Sequence, residues 1–177
     1  MSSIPSLGSL LRPMKRKIFV SYHHANDQQY YDAFSRVFHD GYEAIYDNSL
    51  ERRIDSDNAE YVMRNIRENC LTGTSCTLVL CGAGTRWRKF VDWEIKATLD
   101  KQHGLIGVNL PTNPRDAQGR VHKPDRLQDN IDSGYAVWVS WEEITRGSQV
   151  LQQHIELANA RSKALIVNNR TLRRRNG

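Results

Sequence analysis

Residues 75–81 read SCTLVLC, the strongest strand pattern in the chain. A nearly all-apolar run of this length is typical of a central parallel strand that is covered on both faces. A tight turn, Gly82-Ala83-Gly84, follows it, and a helical pattern then extends over 89–102. The sequence therefore predicts a strand, a turn and a helix at the centre of an α/β fold.

The same alternation of strand and helix continues on both sides of this stretch. Further strands are predicted at 18–22, 43–46, 105–110 and 135–139, with the second near a sheet edge because it is short and half polar. The apolar faces of the other helices are Tyr30, Tyr31, Phe34, Val37 and Phe38; then Val62, Met63, Ile66 and Cys70; and last Val150, Leu151, Ile155, Leu157 and Ala158. The capping-box pairs Asn26/Gln29 and Asp57/Glu60 predict two helix starts.

This order of elements predicts right-handed βαβ units around a parallel sheet. Five strands favour an α/β, flavodoxin-like three-layer sandwich with a mainly parallel sheet of order 2-1-3-4-5. In such sheets ligands bind beyond the carboxyl ends of the strands, at the topological switch point. Here the switch point lies between strands 1 and 3, whose following connections run to opposite sides of the sheet. We therefore look for chemistry at 21–26 and 82–89, and in part of the loop after strand 2.

The chain is predicted to hold one domain over 15–165. A flexible leader over 1–14 precedes it, and a basic C-terminal tail over 166–177 follows. Within the domain, the stretch 111–134 contains three prolines and no periodicity. A stretch of that length predicts a long functional loop or an insertion.

The composition narrows the classes of function. The net charge is +5, from 25 basic and 20 acidic residues, but seven of the basic residues lie in 15–17 and 170–175, which leaves 18 against 20 elsewhere. This distribution favours a solvated basic tail over a nucleic-acid-binding arm. The apolar runs are too short to span a membrane, and 1–13 do not resemble a secretory signal. Three cysteines without CxxC spacing predict buried free thiols, and hence a cytoplasmic protein.

The helix after the central strand carries a possible site. Phe90 and Glu94 share one helical face, apart from the core stripe of Val91, Ile95 and Leu99. An aromatic ring beside a carboxylate can hold a flat ligand while the acid stabilises charge. Judged by spacing alone, an ordinary surface helix with a half-buried Phe and a solvated Glu is the commoner explanation.

Other common sites are not indicated by the sequence. His23 and His24 follow strand 1, but neighbouring residues on an extended segment point apart, so we expect no metal there. The chain contains neither a GxxxxGK[ST] phosphate loop nor the nucleophile elbow of common hydrolases.

Several of these segments together resemble a known family. The stretch 17–22, KIFVSY, followed by a polar loop, resembles the opening strand of a Toll/interleukin-1 receptor (TIR) domain. The stretch 73–82, GTSCTLVLCG, and the aromatic-x-x-x-Glu element at Phe90 and Glu94 resemble the TIR-like proteins of bacterial anti-phage defence, in particular the NAD-processing sensor of Thoeris systems. The resemblance extends over about 17–141.

This resemblance implies an enzyme in which Glu94 is catalytic and cleaves the nicotinamide–ribose bond of NAD. NAD would be the substrate, and no cofactor or metal is expected. Phe90 stands where the family commonly has Trp. The residues expected to contact the substrate are Ser21, Tyr22, His23, Arg86, Trp87, Arg88 and Phe90.

The resemblance also implies partners. A cyclic ADP-ribose isomer would signal to a separate effector protein, although the residues leave hydrolysis and cyclisation both open. Self-association and a phage-derived activator are expected. The loop over 47–56 corresponds to the mobile loop that TIR domains use for substrate access and self-association, but it lacks their usual Gly-Pro pair.

Two other functions are compatible with the same fold. A non-catalytic TIR-like interaction module would bind partners through 47–56 and the basic ends of the chain. A phosphorelay receiver domain is disfavoured, because Cys81 stands where its phosphoacceptor Asp is needed. An enzyme should place Glu94 towards a cleft, whereas a pure adaptor could bury it.

Overall fold

The computed structural model describes residues 14–46 and 58–177. The predictions for the loop over 47–56, for Asp57 as a helix cap, and for the leader up to residue 13 lie outside the described residues.

The sheet has five strands in the order β2-β1-β3-β4-β5, and all four strand pairs are parallel. The strands are β1 (Arg16–Ser21), β2 (Tyr42–Ile45), β3 (Thr74–Cys81), β4 (Gly104–Asn109) and β5 (Val137–Ser140). The predicted flavodoxin-like topology is confirmed, with the short β2 at one edge.

Six helices connect or follow the strands within the described residues. They are α1 (His24–Phe38), α2 (Ala59–Asn65), α3 (Lys89–Asp100), α4 (Asp125–Asp132), α5 (Trp141–Ile144) and α6 (Ser148–Ala160). A π-helical turn, Ile66–Cys70, continues α2, and short 3-10 turns occur at Thr85–Trp87 and Lys163–Leu165.

The helices cover both faces of the sheet, which gives the predicted three layers. Alternation along β1 sends Ile18 and Val20 into a core with α1 and α6, and Phe19 into a core with α2 and α3. A third cluster joins α3, β4 and α4 around Leu105 and Leu127. The switch point therefore lies where α1 and α3 begin, on opposite sides of the sheet.

Two predicted helix faces need correction. Val37 and Leu157 were expected to be buried, but they are 54% and 45% exposed. In α1 the buried contacts come from Phe34 and Phe38, and in α6 they come from Ile155 and Ala158. These two residues lie at the rim of the apolar stripe.

The start of α1 differs from its predicted capping box, and α2 is capped by Asn58. α1 begins at His24, so Asn26 lies inside its first turn and donates instead to the Ala83 carbonyl at 2.9 Å. α2 begins at Ala59, and the side chain of Asn58 accepts from the Tyr61 amide at 3.1 Å. Asn58 is therefore the cap of α2.

The stretch 111–134 is not one long loop. Residues 125–132 form α4, whose fully buried Arg126 pairs with Asp92 of α3 at 2.9 Å. The helix escaped the sequence analysis because one of its core contacts is an arginine, and its apolar residues, Leu127 and Ile131, are too few to show a period.

The basic tail is also structured. Residues 168–177 lie along α3 and hydrogen-bond to α3, α4 and the turn before α3. The predicted basic tail is therefore attached to the domain, while the side chains of Arg170, Arg174 and Arg175 are exposed to solvent. Asp92 and Asp129, which the sequence analysis did not connect with the tail, bond to Arg173 and Arg170.

All three cysteines are buried and free, as predicted. Cys76 and Cys81 lie in different core clusters, on opposite faces of β3. Within the described ranges, none of the helices combines the length and the apolar character that a membrane span requires.

Candidate functional site

Glu94 lies at the switch point, under the carboxyl end of β1. Ser21, the last residue of β1, donates its hydroxyl to Oε2 of Glu94. Ser21 is buried, and Glu94 is only 5% exposed. The structure thus joins two of the predicted site residues, 73 positions apart in sequence, in a direct hydrogen bond.

The position of Glu94 follows from how α3 sits on the sheet. Val91, Ile95 and Leu99 enter one core cluster, whereas Phe90, Trp93 and Ala97 contact another. Between these two apolar sides, Glu94 and Thr98, one turn apart, face the strands. Thr98 shares a 2.8 Å hydrogen bond with Thr77 of β3, and the Ser21 hydroxyl meets Glu94. Glu94 is therefore a sheet-facing carboxylate, not the solvated surface Glu that spacing alone favoured.

The residues after β1 form an aromatic cluster. The rings of Tyr22 and His24 stack with centroids 4.2 Å apart, and Tyr22 stacks on Tyr31 at 5.0 Å. The Tyr22 hydroxyl donates to Gln28 at 2.8 Å. Burial raises the pKa of Tyr22, with further contributions from Tyr46 and Tyr31. The two rings already stacked on Tyr22 give it a packing role at this end of β1.

The turn after β3 is held against the start of α1. Gly84 has a φ of +83°, in the left-handed region that favours glycine. A Cβ at Gly84 would lie 3.7 Å from His23 Nδ1, so the turn passes close to the imidazole. The Asn26 amide holds the adjacent Ala83 carbonyl. His23 and the turn over 82–84 are therefore neighbours, as the topology predicted.

Asp27 is a buried carboxyl that the sequence analysis missed. It is 1% exposed, and Thr85 donates to its Oδ2 at 3.3 Å. Thr85 in turn accepts from the Gly82 amide at 2.9 Å, and a Cβ on Gly82 would lie 2.5 Å from Asp27 Oδ1. Burial raises the pKa of Asp27 to about 6, and the Thr85 hydrogen bond lowers it in part. The sequence feature that could have indicated Asp27 is its position in the polar segment after strand 1.

The two predicted arginines occupy different surroundings. Arg86 lines a pocket of about 630 Å³, together with cationic residues of the loop before α4, namely Arg115, Arg120 and Lys123. The same guanidinium lies 3.9 Å from Asp125, at the start of α4. Arg88 is half-exposed and immediately precedes α3. Arg86 therefore faces the α4 side, whereas Glu94 faces β1.

The aromatic residues around the start of α3 contact their own chain. Phe90 packs edge-on against Trp93, with centroids 6.1 Å apart, and the Lys89 ammonium lies 5.0 Å from the Phe90 ring. The guanidinium groups of Arg86 and Arg173 lie 4.3 and 5.4 Å from the centre of the Trp87 ring. Among the predicted substrate contacts, Ser21 is hydrogen-bonded to Glu94.

The sheet order and the two helical layers define an α/β protein of the flavodoxin-like class, with an acidic residue at the switch point. A family model described as "Thoeris protein ThsB, TIR-like domain" matches residues 19–115. The match spans more than half of the chain, so this protein belongs to that family and is a TIR-like defence protein of the Thoeris type. The comparison with curated proteins gave no match.

The matched range has a structural meaning. It contains the last three residues of β1 and the whole of β3, β4, α1 and α3, and therefore both Ser21 and Glu94. It ends before α4, so Arg126 and the segment 168–177 that packs on it lie outside the match. The parts of the molecule that hold α3 from its outer side come from beyond the matched range.

Proposed function

We propose that this protein cleaves the nicotinamide–ribose bond of NAD, with Glu94 as the catalytic residue. The observation that carries the proposal is the Ser21–Glu94 hydrogen bond at the switch point, in a chain of the Thoeris TIR-like family. This is where a parallel α/β sheet of this order binds its ligands.

The proposed reaction depends on a fixed negative charge beside the ribose rather than on a metal ion. The C–N bond between ribose and the cationic nicotinamide ring breaks, and nicotinamide leaves as a neutral molecule with the bonding electron pair. The ribose becomes oxocarbenium-like, and a carboxylate beside it stabilises this charge. Water then adds and loses a proton to give ADP-ribose, or a nucleophile of the same molecule adds to give a cyclic isomer.

The surroundings of Glu94 suit this role. Because the carboxylate is almost buried, its field is screened less than at a solvated surface. The Ser21 hydroxyl fixes Oε2, so the acid does not have to reorganise as positive charge develops. Phe90, Tyr22 and His23 are proposed to border the substrate, and Arg86 and Arg88 to meet its pyrophosphate, since guanidinium groups pair well with phosphates.

The burial of Glu94 also bears on regulation. At 5% exposure the carboxylate cannot contact a dinucleotide unless the neighbouring segments move. We therefore propose that the described conformation is an inactive one, which self-association or a phage-derived component opens. A cyclic product would then carry the signal to a separate effector protein.

Incubation with NAD tests the proposal. Purified protein, alone and with lysate of phage-infected cells, should release nicotinamide in at least one condition. The masses of the nucleotide products distinguish ADP-ribose from a cyclic isomer, which is lighter by one water. Failure to release nicotinamide in both conditions would contradict the proposal.

One observation favours a second candidate, a non-catalytic interaction module. Glu94 is buried and hydrogen-bonded, which is the arrangement expected of an adaptor that has no use for its carboxylate. This alternative predicts no NAD turnover and a loss of assembly on charge reversal at Arg52 and Arg53. Size-exclusion chromatography of the double variant, beside the NAD assay, separates the two functions.

A further inference from the structure

The C-terminal segment, defined here as residues 168–177, lies along the outer side of α3. The Trp93 indole donates to the Arg173 carbonyl at 2.7 Å, and the Arg173 amide donates to Asp92 at 2.9 Å. Leu172 packs against the apolar cluster between α2 and α3. The segment therefore contacts two consecutive residues of the helix that carries Glu94.

A buried arginine fixes the middle of the segment. Arg126 of α4 is fully buried and donates to the carbonyls of Arg170 and Thr171 at 3.1 and 3.2 Å. It also donates to the Asn168 side chain and to Asp92. A buried guanidinium needs these acceptors, because unpaired buried donors are costly. The segment is thus an integral layer on α3 and not a loosely attached arm.

The end of the segment reaches the start of α3. Arg88 occupies the N-cap position of this helix, yet its side chain makes no capping hydrogen bond. The side-chain oxygen of Asn176 instead accepts from the Lys89 amide at 2.9 Å. Asn176 thus provides, from 87 positions away, an acceptor for one of the first-turn amides that a helix leaves without an internal partner.

The turn before α3 is held by the same residues. The Gly177 amide donates to the Trp87 carbonyl at 3.2 Å, and the Arg173 guanidinium lies 5.4 Å from the centre of the Trp87 ring. A Cβ at Gly177 would lie 2.9 Å from the Trp87 indole, so the two are in close contact. Trp87, predicted from the sequence as a substrate contact, is in contact with its own chain here.

We infer that the C-terminal segment positions the catalytic helix, with Asn176 as the positioning residue that holds the first turn of α3. Phe90 and Glu94 lie on the first two turns of that helix, so loosening its start displaces the ring and the carboxylate together. Trp87 is a docking point for the segment. The inference rests on the proposed function where it concerns activity, but its structural part can be tested separately.

Hydrogen exchange tests the structural part. Asn176→Ala should speed exchange of the amides in the first turn of α3 about fivefold, as expected for the loss of a helix cap. Asn176→Asp should restore slow exchange, because a carboxylate accepts the same hydrogen bond and is favourable at a helix N-terminus. Arg174→Ala, at an exposed neighbouring position, is the matched control and should leave exchange unchanged.

Kinetics test the positioning role under the condition that gives nicotinamide release. Asn176→Ala should lower kcat about fivefold, in line with the loosened helix start, and leave KM within about twofold of the parent. Asn176→Asp should recover kcat. Unchanged exchange in Asn176→Ala, a failure of Asn176→Asp to restore it, or a rise in kcat would overturn the inference. If no condition yields nicotinamide, the proposed function fails, while the exchange measurement still decides the structural claim.

Discussion

Two carboxyl groups are buried near the switch point, and their surroundings differ. Glu94 accepts a hydrogen bond from the Ser21 hydroxyl of β1. Asp27 lies against Gly82 and accepts a longer hydrogen bond from Thr85. Burial raises the pKa of Asp27 to about 6. At the residue scale, Glu94 is the carboxylate that we propose stabilises charge, and Asp27 is a packed acid whose ionisation opposes folding.

Ser21→Ala tests the hold on Glu94. The substitution removes the hydroxyl that fixes Oε2, so the carboxylate loses its orientation towards the developing charge. A hydrogen bond to a charged group is worth about 1.5–3 kcal/mol, which corresponds to a loss in kcat of about ten- to a hundredfold. Steady-state kinetics of nicotinamide release measure this loss. Ser21→Thr keeps a hydroxyl and should lose less, whereas equal losses in both variants would argue against the hydrogen bond.

Asp27→Asn tests the buried acid through the pH dependence of stability. The pKa of Asp27 is higher in the folded chain, about 6, than its ordinary 3.8. The protonated form therefore stabilises the fold below pH 4, and this contribution is lost as the pH rises through about 6. Asn cannot ionise, so the variant should gain stability over the parent at pH 8, by at most about 3 kcal/mol, and this gain should shrink towards pH 4.

Urea unfolding at pH 4.5 and pH 8 measures the difference between the two proteins. Asp40→Asn, at an exposed position after α1, serves as the control and should change little at either pH. A constant difference between Asp27→Asn and the parent across this range would show that Asp27 does not titrate as described.

At the scale of elements, α3 is held from three sides. The sheet holds it through Glu94 and Thr98, α4 holds it through the Asp92–Arg126 ion pair, and the C-terminal segment holds its outer side. From the sequence, α3 was predicted to pack on the sheet through Val91, Ile95 and Leu99, whereas its contacts with α4 and with the C-terminal segment were not predicted. An amphipathic pattern indicates the apolar face of a helix, but it does not indicate that a helix is held in place by a buried arginine.

Arg126→Met tests the polar anchor between α3 and α4. Methionine fills similar space but leaves Asp92 without its cationic partner and the tail carbonyls without their donor. Breaking a buried ion pair by removing one partner costs about 3–5 kcal/mol. Thermal or urea unfolding measures the loss. Arg67→Met, at a partly exposed pair with Asp100, should cost less than about 1 kcal/mol, and equal costs in the two variants would contradict the account.

Gly107→Ala tests the packing of β4. A Cβ there would lie 2.6 Å from the Trp138 ring and 2.9 Å from Leu127, so the sheet and α4 would have to move apart. Overpacking of this kind costs about 1–3 kcal/mol. Gly119→Ser, in a turn where a Cβ meets nothing within 4 Å, is the comparison, although its φ of +76° adds backbone strain. A Gly107→Ala protein as stable as the parent would show that Trp138 can move away.

At the scale of the whole molecule, the sequence allowed the topology to be predicted because four strands have an apolar pattern and the remaining one, β2, is short and half polar, as expected at a sheet edge. The Phe90 and Glu94 spacing selected α3 as the candidate helix, and the order of the strands indicated the switch point. The Ser21–Glu94 hydrogen bond depends on a register between β1 and α3 that no local pattern encodes. Asp27, Arg126 and Asn176 act through partners 34 to 87 positions away, and their roles therefore required the structure.

Some of the basic residues near the end of the chain have partners within the folded molecule. Arg170 and Arg173 looked like part of a solvated basic tail, but Arg170 pairs with Asp129, and Arg173 lies over Trp87 and near Asp125. Much of the positive charge at the end of the chain is thus used within the protein. The partners of these two guanidinium groups lie in α4 and in the turn before α3.

The measurement that tests the central claim most directly is nicotinamide release from NAD by the parent protein, Glu94→Gln and Glu68→Gln. The assay is run with lysate of phage-infected cells, because the described conformation buries Glu94. Glu68 is exposed on the π-helical turn, so Glu68→Gln controls for the loss of a carboxylate elsewhere. The account predicts release by the parent and by Glu68→Gln, and a fall of at least about a hundredfold in Glu94→Gln. Equal release by Glu94→Gln and the parent would contradict it.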